Sequence, residues 1–416
     1  QPQASEAIFF METVLNASER LAELPLFREV DAALMMQILE EAGKFISDEI
    51  APLNQTGDSE GAKFSQGQVT MPPGFAAAYQ AFWRAGWASL TADTEDGGQG
   101  LPALLDGVLY EWLSAANHGW TMAPGLLHGA YECIKHHASD ELKTTYLSKI
   151  GSGEWLATMC LTEPHAGSDL GRVHTKAHPT TDAQFRINGT KIFISGGEHD
   201  LTDNIVHLVL ARLPEAPPGP KGLSLFLVPK FYNDGTRSAV YCERIEEKMG
   251  IHASPTCVMR FDDALGWMVG EANKGLNAMF IMMNAARLHV ALQGVGLLDA
   301  AWQKANAYAH ERRQMRAPKA YGTQNSNSQD HQGPDLIIEH PAIRRVLDTQ
   351  RAWIDTSRVL AYETSLALDI AKHHPDTNQR EAANRWCALV TPVLKSTCTD
   401  QGFHGASECL QVFGGH

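Results

Sequence analysis

Basic charge is scarce in this chain: 34 lysines and arginines stand against 48 aspartates and glutamates, a formal net charge of -14. A nucleic-acid surface needs a concentrated basic field, and no basic run supplies one. Cysteine is sparse too, with seven residues at 133, 160, 242, 257, 387, 398 and 409 and no pair at CxxC spacing. Neither a zinc ribbon nor a disulfide framework is suggested, and a reducing compartment fits. The sequence also lacks the long uninterrupted apolar run of a spanning helix, and "QPQASEAIFF" has no basic region or cleavage site. The chain therefore reads as cytoplasmic, with no membrane span. The histidine pairs 136–137 and 373–374 have no partner spacing for a metal and read as surface. There is no internal repeat.

What is present is ordinary globular material, 44% hydrophobic and 20% charged over 416 residues, long enough for two to three domains. From Ala4 to about Ile150 apolar residues recur at helical spacing, as in Leu34, Ile38, Leu39, Ala42 and Phe45. One break, "TEDGGQGLP" (Thr94 to Pro102), reads as a turn with backbone close to something bulky, or as a plain interhelix loop. After Trp155 the period becomes two. "QFRINGTKIFIS" reads as a hairpin turning at Asn188-Gly189, and strand-like runs follow at 204–212, 223–228, 239–245 and 256–261. From Asn273 the helical period returns, over Met279 to Ala309 and Ala342 to Ala371, with Ile343, Val346, Leu347, Gln350, Trp353 and Ile354 on one face. The polar insert Gln324 to Asp335 reads as a mobile linker. The expectation is an α+β multidomain chain: a helical domain over 1–155, a β-barrel-like domain over 156–270 and a helical bundle over 271–416.

The stretch "CLTEPHAGSDLG", Cys160 to Gly171, joins the first two parts. Ala166 and Gly167 permit close approach of a flat ligand, and Ser168 with nearby amides can bond a phosphate or a ring heteroatom. Spacing alone would leave it a loop. Its context is more specific. "MCLTEPHAGSDLG", "INGTKIFISGGEHDLTDNIVHLVLAR", "EKMGIHASPTCVMRFDD", "GEANKGLNAMFIMMNAARLHVALQGVG" and "YAHERRQMR" together resemble, in order, the signatures of the acyl-CoA dehydrogenase family. "GGEHDLT" and "APPGPKGLSLFLVPK" are similar to its longer bacterial branch, that of 3-(methylthio)propanoyl-CoA dehydrogenases and long-chain relatives.

The resemblance implies an N-terminal helical domain, a β domain and a C-terminal four-helix bundle, with FAD as cofactor. It implies dehydrogenation of an acyl-CoA thioester to a trans-2-enoyl-CoA, with electrons passed to an electron-transfer flavoprotein. Residue by residue, Met159, Leu161, Thr162, Gly167 and Ser168 match positions lining FAD and the entry of the CoA chain. Phe193, Ile194 and Ser195 match the strand that covers the flavin, although Phe193 and Ile194 also suit plain strand packing. Arg287 matches an arginine near the acyl-thioester pocket. Arg312 and Gln314, and separately Gln411, Gly414 and Gly415, match contacts to the FAD of a neighbouring subunit, which implies a homodimer or homotetramer. A solvated helix face is the plain alternative for Arg312. Met315-Arg316 departs from the usual Phe-Gly of that motif.

The reaction needs a carboxylate base with a raised pKa in a dry pocket. In most of the family this glutamate lies beyond the double glycine, so the resemblance places it after His416 and the sequence reads as a portion of a longer enzyme whose bundle lacks its last helix. Some relatives carry the base one position before the arginine, where this chain has Ala286. Two other readings stay open: an acyl-CoA oxidase-like enzyme using oxygen, and a non-catalytic scaffold that binds flavin, acyl-CoA or DNA.

Overall fold

A computed structural model describes residues 2–318 and 333–415; most of the insert expected to be a mobile linker lies outside them. The N-terminal part is helical. Its main helices are α1 (Ala32–Phe45), α2 (Phe75–Arg84), α3 (Ala103–Thr121) and α4 (Leu127–His137). Asp31 caps α1 by accepting from Leu34 N at 2.9 Å, and Met35, Leu39 and Ala42 form its buried stripe. A two-stranded ribbon, Lys63–Ser65 with Gln68–Thr70, interrupts the helices. In the "TEDGGQGLP" turn, a Cβ on Gly98 would stand 2.0 Å from the Ala92 carbonyl oxygen, so backbone does pass against backbone there.

Seven strands follow: β1 (Leu156–Cys160), β2 (Lys176–Pro179), β3 (Phe185–Ser195), β4 (Ile205–Arg212), β5 (Leu223–Pro229), β6 (Val240–Ile245) and β7 (Thr256–Val269). They form one mixed sheet in the order β1-β4-β2-β3-β7-β5, with β6 on β7 and β5 also on β4. The expected barrel-like domain is corrected here: the sheet is not a barrel. A barrel needs an unbroken ladder around its girth. Here β2 meets β4 through the single pair Lys176↔Arg212, and β1 pairs only with β4. The run "IVHLVLAR" reads as almost continuously apolar because β4 is buried on both faces. Leu208 and Leu210 join the helical core, while Val209 and Ala211 join a second cluster with Ile187, Ile194, Phe226 and Phe261.

The expected hairpin at Asn188-Gly189 is also corrected. β3 runs straight through both residues, with a bulge against β7 between Ile187 and Asn188. Asn188 and Asp263 exchange hydrogen bonds of 2.8 and 2.9 Å. A Cβ at Gly189 would meet Thr175 Oγ1 at 2.3 Å, so this glycine serves a close approach between neighbouring chains. The turn that feeds β3 lies earlier, where Thr180 N donates to Gln184 O at 2.8 Å.

Three long helices complete the described chain: α5 (Gly275–Glu311), α6 (Pro341–His373) and α7 (Thr377–Gln411). By length and composition α5 could cross a membrane, contrary to the sequence expectation. It packs instead against α3, α4, α6 and α7, with Met282, Leu292, Val295 and Leu298 in the main core. Near its middle, a Cβ on Gly294 would lie 2.3 Å from Cys398 O, and one on Gly402 would lie 2.9 Å from Gly294 O, so α5 and α7 cross at backbone contact.

A buried ion network ties this bundle to the first part. Arg358 on α6 donates to Glu111 Oε1 on α3 from Nε at 2.9 Å and Nη2 at 2.6 Å, and Tyr362 donates to Glu111 Oε2 at 2.8 Å. Asp299 at 3.3 Å and Glu6 at 3.2 Å complete the guanidinium's surroundings.

Candidate active site

The loop after β1 is held by one buried carboxylate. Glu163 accepts from His174 N at 2.7 Å, Thr175 N at 3.0 Å, Thr175 Oγ1 at 2.5 Å and Lys191 Nζ at 2.9 Å. Lys191, on β3 and fully buried, also donates to Leu161 O at 2.9 Å. Ile192 N donates to Thr162 O at 2.9 Å, and Glu163 and Ala166 close a tight turn. Burial alone would raise the Glu163 carboxyl, but the Lys191 ammonium, the Thr175 hydroxyl and the backbone donors outweigh it and hold it below its ordinary range. A carboxylate so engaged is an anchor, unsuited to abstracting a proton.

That anchor sets the sequence-singled residues in place. Leu161 is buried, Met159 and Thr162 are half-buried, and Gly167 and Ser168 are exposed, with no atom within 4 Å of a Cβ built on Gly167. On the adjoining strand, pairing with β7 breaks between Lys191 and Ile194, and Phe193 adopts φ +60°, a left-handed conformation that an aromatic residue rarely takes. The break turns its ring outward, 59% exposed, while Ile194 points into the sheet core. Ser195 is half-buried and leads into Gly196, whose N–H donates to Pro255 O at 2.9 Å. Arg287 on α5 is half-buried and donates to Asn284 Oδ1 at 3.0 Å.

The second group of motif residues, widely separated in sequence, converges. Arg312 and Gln314 share a cavity of about 330 Å³ with Gln411, Gly414, Gly415 and Met315. The turn bearing Arg312 is fixed by Ile337 N to Arg312 O at 2.9 Å and Gln314 N to Asp335 O at 3.0 Å. The rings of Tyr308 and Phe413 pack at a 32° tilt with centroids 4.7 Å apart, fastening the end of α5 to the end of α7.

A larger cavity, about 600 Å³, lies among α3, α4, α5, α6 and α7, and sequence reasoning missed its polar side chains. Asn284, Ala285 and Leu288 border it beside Arg287, as does Asp106, one of two carboxylates, with Glu111, in the apolar run of α3. His289 Nε2 pairs with Asp106 Oδ2 at 3.1 Å and Nδ1 with Gly125 O at 3.1 Å. Burial opposes the charge on His289, but Asp106 and the Gly125 carbonyl prevail and raise its pKa. Asp369 accepts from Ala103 N and Leu104 N at 2.8 and 3.2 Å, and burial lifts its carboxyl to about 7. His136 and His373, each from a pair read as surface, also border the cavity.

Residues 35–154 match the acyl-CoA dehydrogenase N-terminal domain and residues 158–264 the acyl-CoA dehydrogenase middle domain. A 3-methylmercaptopropionyl-CoA dehydrogenase of Ruegeria pomeroyi is 41% identical over 98% of this chain and 68% of its own length. The chain belongs to the acyl-CoA dehydrogenase family. A butyryl-CoA dehydrogenase of Syntrophomonas wolfei is 36% identical over 90% of this chain and 62% of its own length, so the chain spans roughly two thirds of these curated relatives. Among solved structures, butyryl-CoA dehydrogenase from Megasphaera elsdenii superposes with a TM-score of 0.70 at 22% identity, covering 91% of this chain and 87% of that one. The chain thus has the acyl-CoA dehydrogenase fold.

In this acyl-CoA dehydrogenase family member the segment after Ser195 is rigidly buried. Glu198 pairs with Lys230 and, at 3.5 Å, with Arg237, and His199 Nδ1 accepts from Leu201 N at 3.2 Å. Burial, then nearby Lys230, pushes both His199 and His207 down to about 3. An unfolded histidine protonates near pH 6.5, so the stability these two contribute is complete above that pH and is lost as pH falls toward 3. Unfolding by urea at pH 6.5 and pH 5 should reveal a fall of about 2 kcal/mol for each histidine. His207→Gln should make that fall shallower.

Proposed function

We propose that the complete protein is an FAD-dependent acyl-CoA dehydrogenase that converts an acyl-CoA thioester to a trans-2-enoyl-CoA and passes the electrons to an electron-transfer flavoprotein. The observation that carries this reading is the outward Phe193 ring, held by a strained backbone beside a loop pinned by Glu163 and Lys191. Such strain persists where the surroundings over-determine it, as at a ligand clamp. Bound FAD supplies the acceptor for the substrate's hydride. Phe193 would cover its ring system, Ser195 and Thr162 would offer hydroxyls, and the exposed Gly167-Ser168 segment would leave room for the pantetheine entry.

The 600 Å³ cavity beside Arg287 is assigned to the acyl group, being a deep, largely apolar site with a few convergent polar groups that adjoins the arginine's helix. Arg312, Gln314, Gln411, Gly414 and Gly415 are assigned to the FAD of a second copy, where a guanidinium suits a pyrophosphate, so a homodimer or homotetramer is expected. Arg312→Ala should weaken FAD retention at least tenfold, measured as flavin released on gel filtration. The family resemblance, not the geometry, implies that the base is a glutamate beyond the double glycine; Glu163 is consumed by its four donors and position 286 is alanine. All seven cysteines are free and buried, which supports a cytoplasmic location.

The test is an anaerobic titration of the purified full-length protein with acyl-CoA thioesters, including 3-(methylthio)propanoyl-CoA and butanoyl-CoA. Bleaching of the flavin absorbance supports the reading. A flavin that stays oxidised with every thioester refutes it, and peroxide formation without an acceptor protein points to an oxidase.

A further inference from the structure

We propose that the polar wall of the 600 Å³ cavity, formed by Asp106, His289 and His128, makes this protein favour acyl groups carrying a hydrogen-bonding heteroatom near their far end over saturated chains of the same length. The inference rests on the assignment of that cavity to the acyl group. Its volume alone would admit a long hydrocarbon chain, so space does not select. The chemistry of the wall does.

Both ring nitrogens of His289 are engaged, with Asp106 and with the Gly125 carbonyl, and the ring lies stacked on Tyr110 with centroids 4.4 Å apart. The pair is therefore fixed and neutral overall. Across the cavity Glu132 is likewise balanced, by Lys372 at 2.8 Å and His136 at 3.1 Å. Asp93 is paired with Lys135, and Asp369, lifted to about 7 by burial, is held by two backbone donors, so the wall presents no unpaired cation and no fully ionised lone carboxylate to demand an ionic acyl group. Hydrogen-bonding capacity is left: among the described residues Asp106 uses one carboxylate oxygen and His128 uses only Nδ1, with Thr91 Oγ1 at 2.9 Å. Both residues line the cavity.

A saturated chain laid against this wall takes water from these groups and returns no hydrogen bond, a loss the apolar contacts elsewhere must offset. A chain with an ether, hydroxyl or similar atom at that depth restores the bond. Recognition of this kind discriminates more sharply than a difference of one methylene in an apolar pocket.

The test compares two isosteres, hexanoyl-CoA and 4-methoxybutanoyl-CoA, on the full-length holoenzyme with a dye acceptor. The difference in intrinsic reactivity cancels when wild type and variant are compared. His128→Leu should shift the ratio of kcat/KM at least tenfold toward hexanoyl-CoA, mainly through KM. The double variant Asp106→Leu/His289→Phe, which removes the ion pair as a unit, should shift it the same way and guards against misfolding of the single variant. An unchanged ratio in a folded, flavin-loaded variant overturns the inference while leaving the dehydrogenase reading intact. Failure of every thioester to reduce the flavin overturns both.

Discussion

Replacing Lys191 with methionine is expected to lower the unfolding free energy by about 3–5 kcal/mol and to strip the protein of flavin. Lys191 is fully buried and Glu163 nearly so, and they are 2.9 Å apart. Methionine fills the volume but leaves a buried carboxylate without its cation. Desolvation of an unpaired carboxylate dominates that figure, so the loss exceeds what the pair contributes as a pair. The same substitution frees Leu161 O, and with it the start of the loop that precedes Ser168. Urea denaturation and the ratio of flavin to protein absorbance measure the two consequences. A Glu163→Gln/Lys191→Met double variant should recover part of the stability, because the orphaned charge is gone. A single variant within 1 kcal/mol of wild type would show that the carboxylate finds another partner or water.

The second large effect is expected at Arg358. Arg358→Met leaves Glu111, which is completely buried, facing Asp299 and Glu6 without a counter-ion, and should lower stability by about 3–5 kcal/mol. Because the network joins α3, α6 and the segment holding Glu6, the loss should come with exposure of the first residues to protease. Limited proteolysis reads this directly. Glu111→Gln combined with Arg358→Met should be less harmful than the sum of the two single changes, since the residues form one unit.

Much of this architecture is legible in the sequence because burial imposes a period. Strands at 205–212, 223–229 and 240–245 stand where alternation and apolar runs place them, and α5 and α6 extend the expected helices by only a few residues. Asn188-Gly189 misleads because a turn dipeptide and a bulge call for the same permissive backbone, and only the neighbouring Thr175 tells them apart. The barrel expectation fails for a related reason: strand number is local information, whereas closure depends on pairings as slight as Lys176↔Arg212.

The candidate site divides in the same way. Arg312 and Gln411 could be named from motifs, and the fold brings them to one cavity. Asp106, His289 and Asp369 could not, because each sits in a helix whose apolar period hides it, and their meeting is a matter of helix packing. Glu163, legible as part of the loop, has a role visible only through the four donors around it.

The crossing at Gly294 and Gly402 bears on how such a sequence can drift. A larger side chain at either position alone would push α7 away from α5 by the width of a methyl group. Arg287 lies two turns along α5 from Gly294, so the displacement would be felt at the end of the cavity beside Arg287. Neither glycine can be exchanged without driving a side chain into the backbone of the facing helix, so each position is closed to a larger residue while the crossing lasts. Room for change in this chain therefore lies on the outer faces of the helices, while the crossing holds the spacing of the inner ones.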